Sequence, residues 1–246
     1  QAVALDLRRR GKILTVPLPG SVPAPPGVPP PADPGYAPAL AGIARTLNRQ
    51  AFHDFIPAQD AREKAKSAAE WALANDDTLA SGHAALGFVR YFWEWDWKGA
   101  GESFARAYRL APADAGIQSD RAWYVMATGS MTQAMAAMKA AREGEADSAE
   151  FLCLFAEMSF WAGRVEEAAS LAQEAVDRFP DEPLGYMVTA FVQSARGDHA
   201  DAVDTYLEYL SRTETESHRS PTLAWFYAVA GKQEEARKAF DRARRS

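Results

Sequence analysis

One cysteine, Cys153, stands among 246 residues, so an internal disulfide framework is excluded. The four histidines, His53, His83, His199 and His218, are scattered. Only Asp198-His199-Ala200-Asp201 suggests a metal ligand set, and it reads better as solvated polar residues at a turn. No apolar run approaches the ~20 residues of a membrane span. The densest, residues 151–162, is interrupted by Glu157 and suits a buried helix. The net charge of −6 gives no basic face to release counterions from duplex nucleic acid or to dock on anionic lipid. Gly99-Ala100-Gly101 lacks the third glycine and the preceding strand of a phosphate-binding loop, and no nucleophile elbow occurs. The pairs Glu166-Glu167 and Glu234-Glu235 suit helix starts, where a negative charge meets the positive dipole end, and are not catalytic pairs. These absences predict a protein that is not an enzyme, uses no cofactor or metal, and neither binds nucleic acid nor inserts into a membrane. Gln1 is not a methionine, so the sequence reads as a fragment or a processed product. An extracytoplasmic or secreted location is favoured over a cytoplasmic one.

What is present is a repeat. Alanine recurs at Ala65, Ala100, Ala134, Ala168, Ala202 and Ala236, in one step of 35 followed by four of 34. Gly129, Gly163, Gly197 and Gly231 stand five residues before the last four of them. Ala69, Phe104, Met138, Ala172, Tyr206 and Phe240 follow at a fixed offset of four, and Pro112 and Pro180 close two of the units. Each unit reads as two helices. Glycine tolerates the left-handed backbone that ends the first, alanine lets the pair cross closely, and proline stops the second. Such a hairpin cannot bury its apolar face alone, so neighbouring units must stack.

Gly163-Arg164-Val165-Glu166-Glu167-Ala168, running on to Phe179-Pro180, and Gly231-Lys232-Gln233-Glu234-Glu235-Ala236 are the clearest stretches. They resemble the tetratricopeptide repeat family over residues 34–246. The resemblance implies an all-α, right-handed superhelical solenoid of about six helical hairpins. Trp93-Glu94-Trp95-Asp96-Trp97 departs from the glycine turn, and with Ala100, Phe104, Ala107 and Pro112 it looks like the repeat region of bacterial winged-helix regulators and adenylate cyclases. The first unit, residues 36–75, is expected to have a long first helix and a longer connection near Ile56-Pro57. Tyr209 replaces the usual alanine in the fifth unit, and a loose loop is expected over residues 211–220.

Residues 1–33 form a separate arm. Residues 2–10 suggest a short helix ending at Gly11, and the β-branched stretch that follows Lys12 suggests an extended segment. Nine prolines from Pro17 to Pro34 favour polyproline II geometry. The arm reads either as a tether or as a docking segment.

In the family the first helix of each pair lines the concave face. By that alignment the partner-binding residues are Trp123, Met126, Glu157, Phe160, Met187, Phe191 and Trp225, joined by Phe88 and Tyr91 of the second unit. A groove so rich in aromatics suits a protein or peptide partner. It lacks the lysine and asparagine set with which chaperone-binding members clamp a carboxylate: Ser119, Cys153 and Met187 stand there instead. The leading expectation is therefore a scaffold that binds an extended or helical polypeptide in the groove. The alternatives are a self-assembling subunit, in filaments or oligomers, whose arm docks on a neighbouring copy, and a regulatory domain of a larger bacterial regulator.

Overall fold

The alanine period appears as six helix pairs. The computed structural model describes residues 4–9, 12–17, 36–53, 56, 58–213 and 221–244. The pairs are α1 (Tyr36–Phe52) with α2 (Ala58–Asn75), α3 (Ala80–Phe88) with α4 (Trp97–Leu110), α5 (Ala115–Ala127) with α6 (Met131–Gly144), α7 (Ala149–Trp161) with α8 (Val165–Arg178), α9 (Pro183–Arg196) with α10 (His199–Arg212), and α11 (Pro221–Val229) with α12 (Gln233–Ala243). Ala65, Ala100, Ala134, Ala168 and Ala202 have no exposed surface, as close helix crossings require. Among the described residues no helix is long and apolar enough to cross a membrane.

One expectation fails at the start of the chain. Within the stretch 2–10, where a short helix is expected, the described residues are not helical; Ala4–Arg9 is strand β1, paired antiparallel with β2 (Lys12–Pro17), Leu7 opposite Leu14. Apolar residues at 5 and 7 alternate with charges at 6 and 8, the period of a strand, and so short a helix would not repay its nucleation. The extended reading of the stretch after Lys12 agrees with β2. The proline-rich stretch, residues 18–35, lies outside the described residues, as does most of the loop expected over 211–220; α10 itself continues to Arg212.

The chain divides into two compact units. Unit 1 comprises residues 1–49 and 59–110, and unit 2 comprises Gln50–Ala58 with Ala111–Ser246. In unit 1 the first helix is long, 17 residues, as expected. Buried Asn48 ties α1 to its neighbours. Its side-chain amide donates to the Ala85 carbonyl (3.1 Å) and its carbonyl accepts from Trp93 Nε1 (3.2 Å). After α3 the backbone widens into a π-helical turn, Val89–Trp93. A π-turn holds one residue more than an α-turn, which accounts for the single step of 35 in the alanine series. Trp95 then stands where the other units have glycine and adopts the same left-handed backbone, φ 57°.

In unit 2 the glycine turns are as the sequence predicts, with Gly129, Gly163, Gly197 and Gly231 all at positive φ. Asp114 caps α5 by accepting from the Ile117 N–H at 2.9 Å. Such a cap stabilises a helix by about 1 kcal/mol. The core runs along α7 to α12 and includes Leu152, Met187, Val188, Tyr206, Tyr209 and Phe226. Each such large apolar side chain removed from water contributes about 1.5–3 kcal/mol. On the outer surface Glu174 accepts from both Arg142 and Arg178, and Arg178 reaches Asp147.

Candidate functional site

The first helices of unit 2 place their aromatic positions on one inner face. Positions 34 residues apart fall at equivalent places on successive helices, so Phe191 and Trp225 line up, with Phe160 alongside. The ring of Phe160 lies 5.5 Å from Phe191, and Phe191 lies 6.1 Å from Trp225. Trp161, which the family alignment does not single out, joins them at 5.7 Å from Phe191. Ring pairs at these separations and tilts attract beyond their area burial. Phe160 and Phe191 are half-buried, whereas Trp161 and Trp225 keep 50% and 46% of their surface exposed. The result is a ladder of four aromatic side chains from the first helices of three consecutive pairs, α7, α9 and α11, open to solvent at its two tryptophans.

The remaining expected residues lie deeper. Trp123, Glu157 and Met187 are buried, and Met126 is half-buried. They are reached by an unexpected element. The end of α1 belongs to unit 2 and lies against its inner face. The Phe52 ring packs 5.6 Å from Trp123. The Tyr209 hydroxyl donates to the His53 backbone carbonyl at 2.7 Å, in a buried bond. Beside this contact is a cavity of about 130 Å³ walled by Phe52, His53, Glu157, Trp161, Met187 and Phe191, among others. The inner face therefore already holds one short piece of polypeptide, gripped through a ring and a backbone carbonyl.

Two expected residues belong to unit 1. Phe88 does not serve as a contact residue: only 2% of its surface is exposed, and it stacks on Phe92 at 4.3 Å. Gly87, the preceding residue, lies against the Phe104 ring, which leaves no room there for a side chain. Tyr91 is half-buried, edge-on to Trp97 at 5.3 Å, and burial raises its phenol above the ordinary range.

Burial pushes the Cys153 thiol far up, and the nearby carboxylates of Glu182, Glu157 and Glu150 add to the shift, so it is held as a neutral thiol. Among the described residues no group of histidine, cysteine, aspartate or glutamate side chains is placed to hold a metal ion. The site residues that the sequence missed are Trp161, Phe52, His53, Tyr206 and Tyr209. Tyr209 had a signal, a large polar aromatic where the repeat wants alanine. Phe52 and His53 had none, since they lie outside the aligned first-helix positions.

No protein-family model matches the sequence, and no curated protein does either. Similar folds occur among solved structures. PilW, described as a widely conserved type IV pilus biogenesis factor, is 18% identical with a TM-score of 0.57, over 81% of this chain and 90% of that one. TTC0263, a tetratricopeptide repeat protein of Thermus thermophilus, gives 14% and 0.58, over 80% and 98%. Human IFIT1, solved as a dimer with PPP-AAAA, gives 20% and 0.57, over 74% of this chain and 45% of that one. The fold is of the tetratricopeptide type.

Proposed function

We propose that this chain is a protein-interaction scaffold in which the inner face of unit 2 binds a polypeptide segment along the ladder Phe160, Trp161, Phe191 and Trp225. The observation that carries the reading is the half-exposed pair of tryptophans at the ends of stacked rings. Half-exposed tryptophans over a packed aromatic base are typical of interface anchors. The seat taken by Phe52 and His53 supports it, since the same face already grips a ring and a backbone carbonyl. The description of PilW as a type IV pilus biogenesis factor, and an extracytoplasmic setting, are compatible with such a scaffold. A place within a larger bacterial regulator is the second reading, favoured by the aromatic turn of unit 1, where Trp95 is 69% exposed.

Selection of peptides from a random displayed library on the full chain tests the groove. Enriched peptides are expected to carry aromatic or large apolar residues and to bind the Trp161→Ala/Trp225→Ala variant at least about tenfold more weakly. Peptides that bind that variant equally well, or no enrichment at all, would overturn the reading.

A further inference from the structure

We propose that the aromatic turn of unit 1 is the seat of this chain's own proline-rich segment, residues 19–34, which lies across Tyr91, Trp95 and Trp97 in polyproline II geometry. The inference concerns a surface apart from the inner ladder of unit 2 and does not depend on it. That surface starts in the π-turn. Tyr91 is edge-on to Trp97 at 5.3 Å and 71°, and Trp97 is tilted 58° from Trp95 at 6.0 Å. Rings so inclined form a ridged row rather than a flat stack. Trp97 keeps 40% of its surface exposed and Trp95 keeps 69%. The row joins α3 to α4 inside the chain, so the helices on both sides of it are already in place. The left-handed backbone at Trp95 holds an indole there at a cost that glycine would avoid.

The sequence of the segment fits such a row. A polyproline II helix has three residues per turn, so every third residue falls on one edge. Pro23, Pro26 and Pro29 make one edge, and Pro25, Val28, Pro31 and Pro34 make a second. The third edge carries Asp33, the only charge of the segment. Two apolar edges of proline meet aromatic rings well, and the stiff backbone loses little entropy on docking. Prolines on one edge stand about 9.3 Å apart, so one turn of the segment spans the row. Charge does not choose the occupant. Glu94 is paired with Lys66, Asp96 accepts from the Gly99 N–H, and Lys98 stands exposed beside them. Charges so mixed favour a nearly neutral segment over an acidic or a basic one.

The segment also reaches the turn. It ends where α1 begins, at Tyr36. Asn48, which accepts from Trp93 Nε1, stands twelve residues further on, about 18 Å along the helix. The thirteen steps from Pro23 to Tyr36 extend about 40 Å in polyproline II geometry, more than twice that distance. A tether this short holds the segment beside the turn at an effective concentration in the millimolar range. Modest affinity then suffices, and the nearest occupant is the chain itself.

The test uses fluorine NMR of the full chain labelled with 5-fluorotryptophan and a synthetic peptide of residues 19–34. Each tryptophan signal is identified by its loss in the corresponding Trp→Phe variant. In a chain carrying Pro23→Ser, Pro26→Ser and Pro29→Ser, the peptide is expected to shift the Trp95 signal saturably, with a Kd below about 1 mM, and to leave the signals of Trp161 and Trp225 in place. In the unsubstituted chain the Trp95 signal is expected to stand near the saturated position already. The peptide should bind that chain at least about fivefold more weakly, because the tethered segment competes with it. Trp97→Ala in the proline variant should weaken the peptide at least about fivefold. Raising the salt from about 0.05 to about 0.5 M should change the Kd less than about twofold. An unchanged far-UV circular dichroism spectrum shows that each variant is folded. A Trp95 signal at the same position in the unsubstituted chain and the proline variant would overturn the proposal. So would the absence of saturation up to about 5 mM, or shifts confined to Trp161 and Trp225, which would place the peptide on the inner ladder. Dimers by light scattering that the proline variant fails to form would overturn it in favour of a second copy.

Discussion

Units 1 and 2 reverse the chain at the same repeat position by opposite means. In unit 2 the reversal falls to glycine, at Gly197 with φ 93° and with nothing near enough to touch an added Cβ. In unit 1 it falls to Trp95, whose Cβ makes the left-handed backbone costly by roughly 1–2 kcal/mol. The surrounding bonds hold it there. The Asp96 carboxylate accepts from the Gly99 N–H at 2.9 Å, the Asp96 N–H donates to the Arg90 carbonyl at 2.9 Å, and the Arg90 guanidinium donates to Ser103 Oγ at 2.7 Å. A turn that costs nothing can be left alone, whereas a strained one is built into a network and carries a large exposed side chain. The difference marks Trp95 as a side chain presented outward rather than one required for folding.

Several substitutions sharpen or break this comparison. The largest effect is expected in the shared core position: Phe104→Ala should cost about 3–5 kcal/mol by chemical denaturation, whereas Phe240→Ala, at a ring 55% exposed, should cost less than about 0.5 kcal/mol. Equal costs would mean that the last position is packed like the others. Gly197→Ala should destabilise unit 2 by about 1–2 kcal/mol, because no space restricts the Cβ but the backbone does. Asp96→Ala should cost about 1 kcal/mol through loss of the Gly99 bond, read as a lowered Tm.

Smaller still is a pH effect in unit 2. The thiol of Cys153 ionises more readily in the unfolded chain than in the fold, so its contribution is complete below about pH 8.5 and is lost as the pH rises above that. At pH 9 the loss should be about 0.8 kcal/mol and absent in Cys153→Ala, with the native thiol inert to alkylation. The smallest effect carries the opposite sign. In a chain whose Pro23, Pro26 and Pro29 are replaced by serine, Trp95→Gly should stabilise unit 1 by about 0.5 kcal/mol, relief of strain exceeding the added entropy of the unfolded chain. Destabilisation beyond about 1 kcal/mol would show that the indole itself supports unit 1.

The repeat was legible because each of its features has a local cause. Alanine at a crossing and glycine at a left-handed turn need no knowledge of distant partners, and both fell where the period put them. The initial ribbon reads as helix in the sequence because six residues fit either period, and the alternation at residues 5–8 decides only once a partner strand is counted. Phe88 shows the limit of alignment by offset. The π-turn that follows it disturbs the register, and a residue expected to face a partner turns into the core. Phe160, Phe191 and Trp225 can be counted into place, but Trp161 stands one residue from the aligned position, where counting by offset does not reach it. The seat of Phe52 and His53 was invisible for a different reason, since its partners Trp123 and Tyr209 are far along the chain and no periodicity connects them.

That seat also sets an order of events during synthesis. Hairpins in this chain close between neighbours, so most can form as soon as about 34 residues have emerged. The bond from Tyr209 to the His53 carbonyl spans 156 residues. At a translation rate of about 5–20 residues per second, the end of α1 waits roughly 10–30 s for its acceptor site to be filled. Trp123, the ring on which Phe52 rests, emerges earlier in that interval, but the bond from Tyr209 comes last, so the earliest-made helix is among the last to be finished.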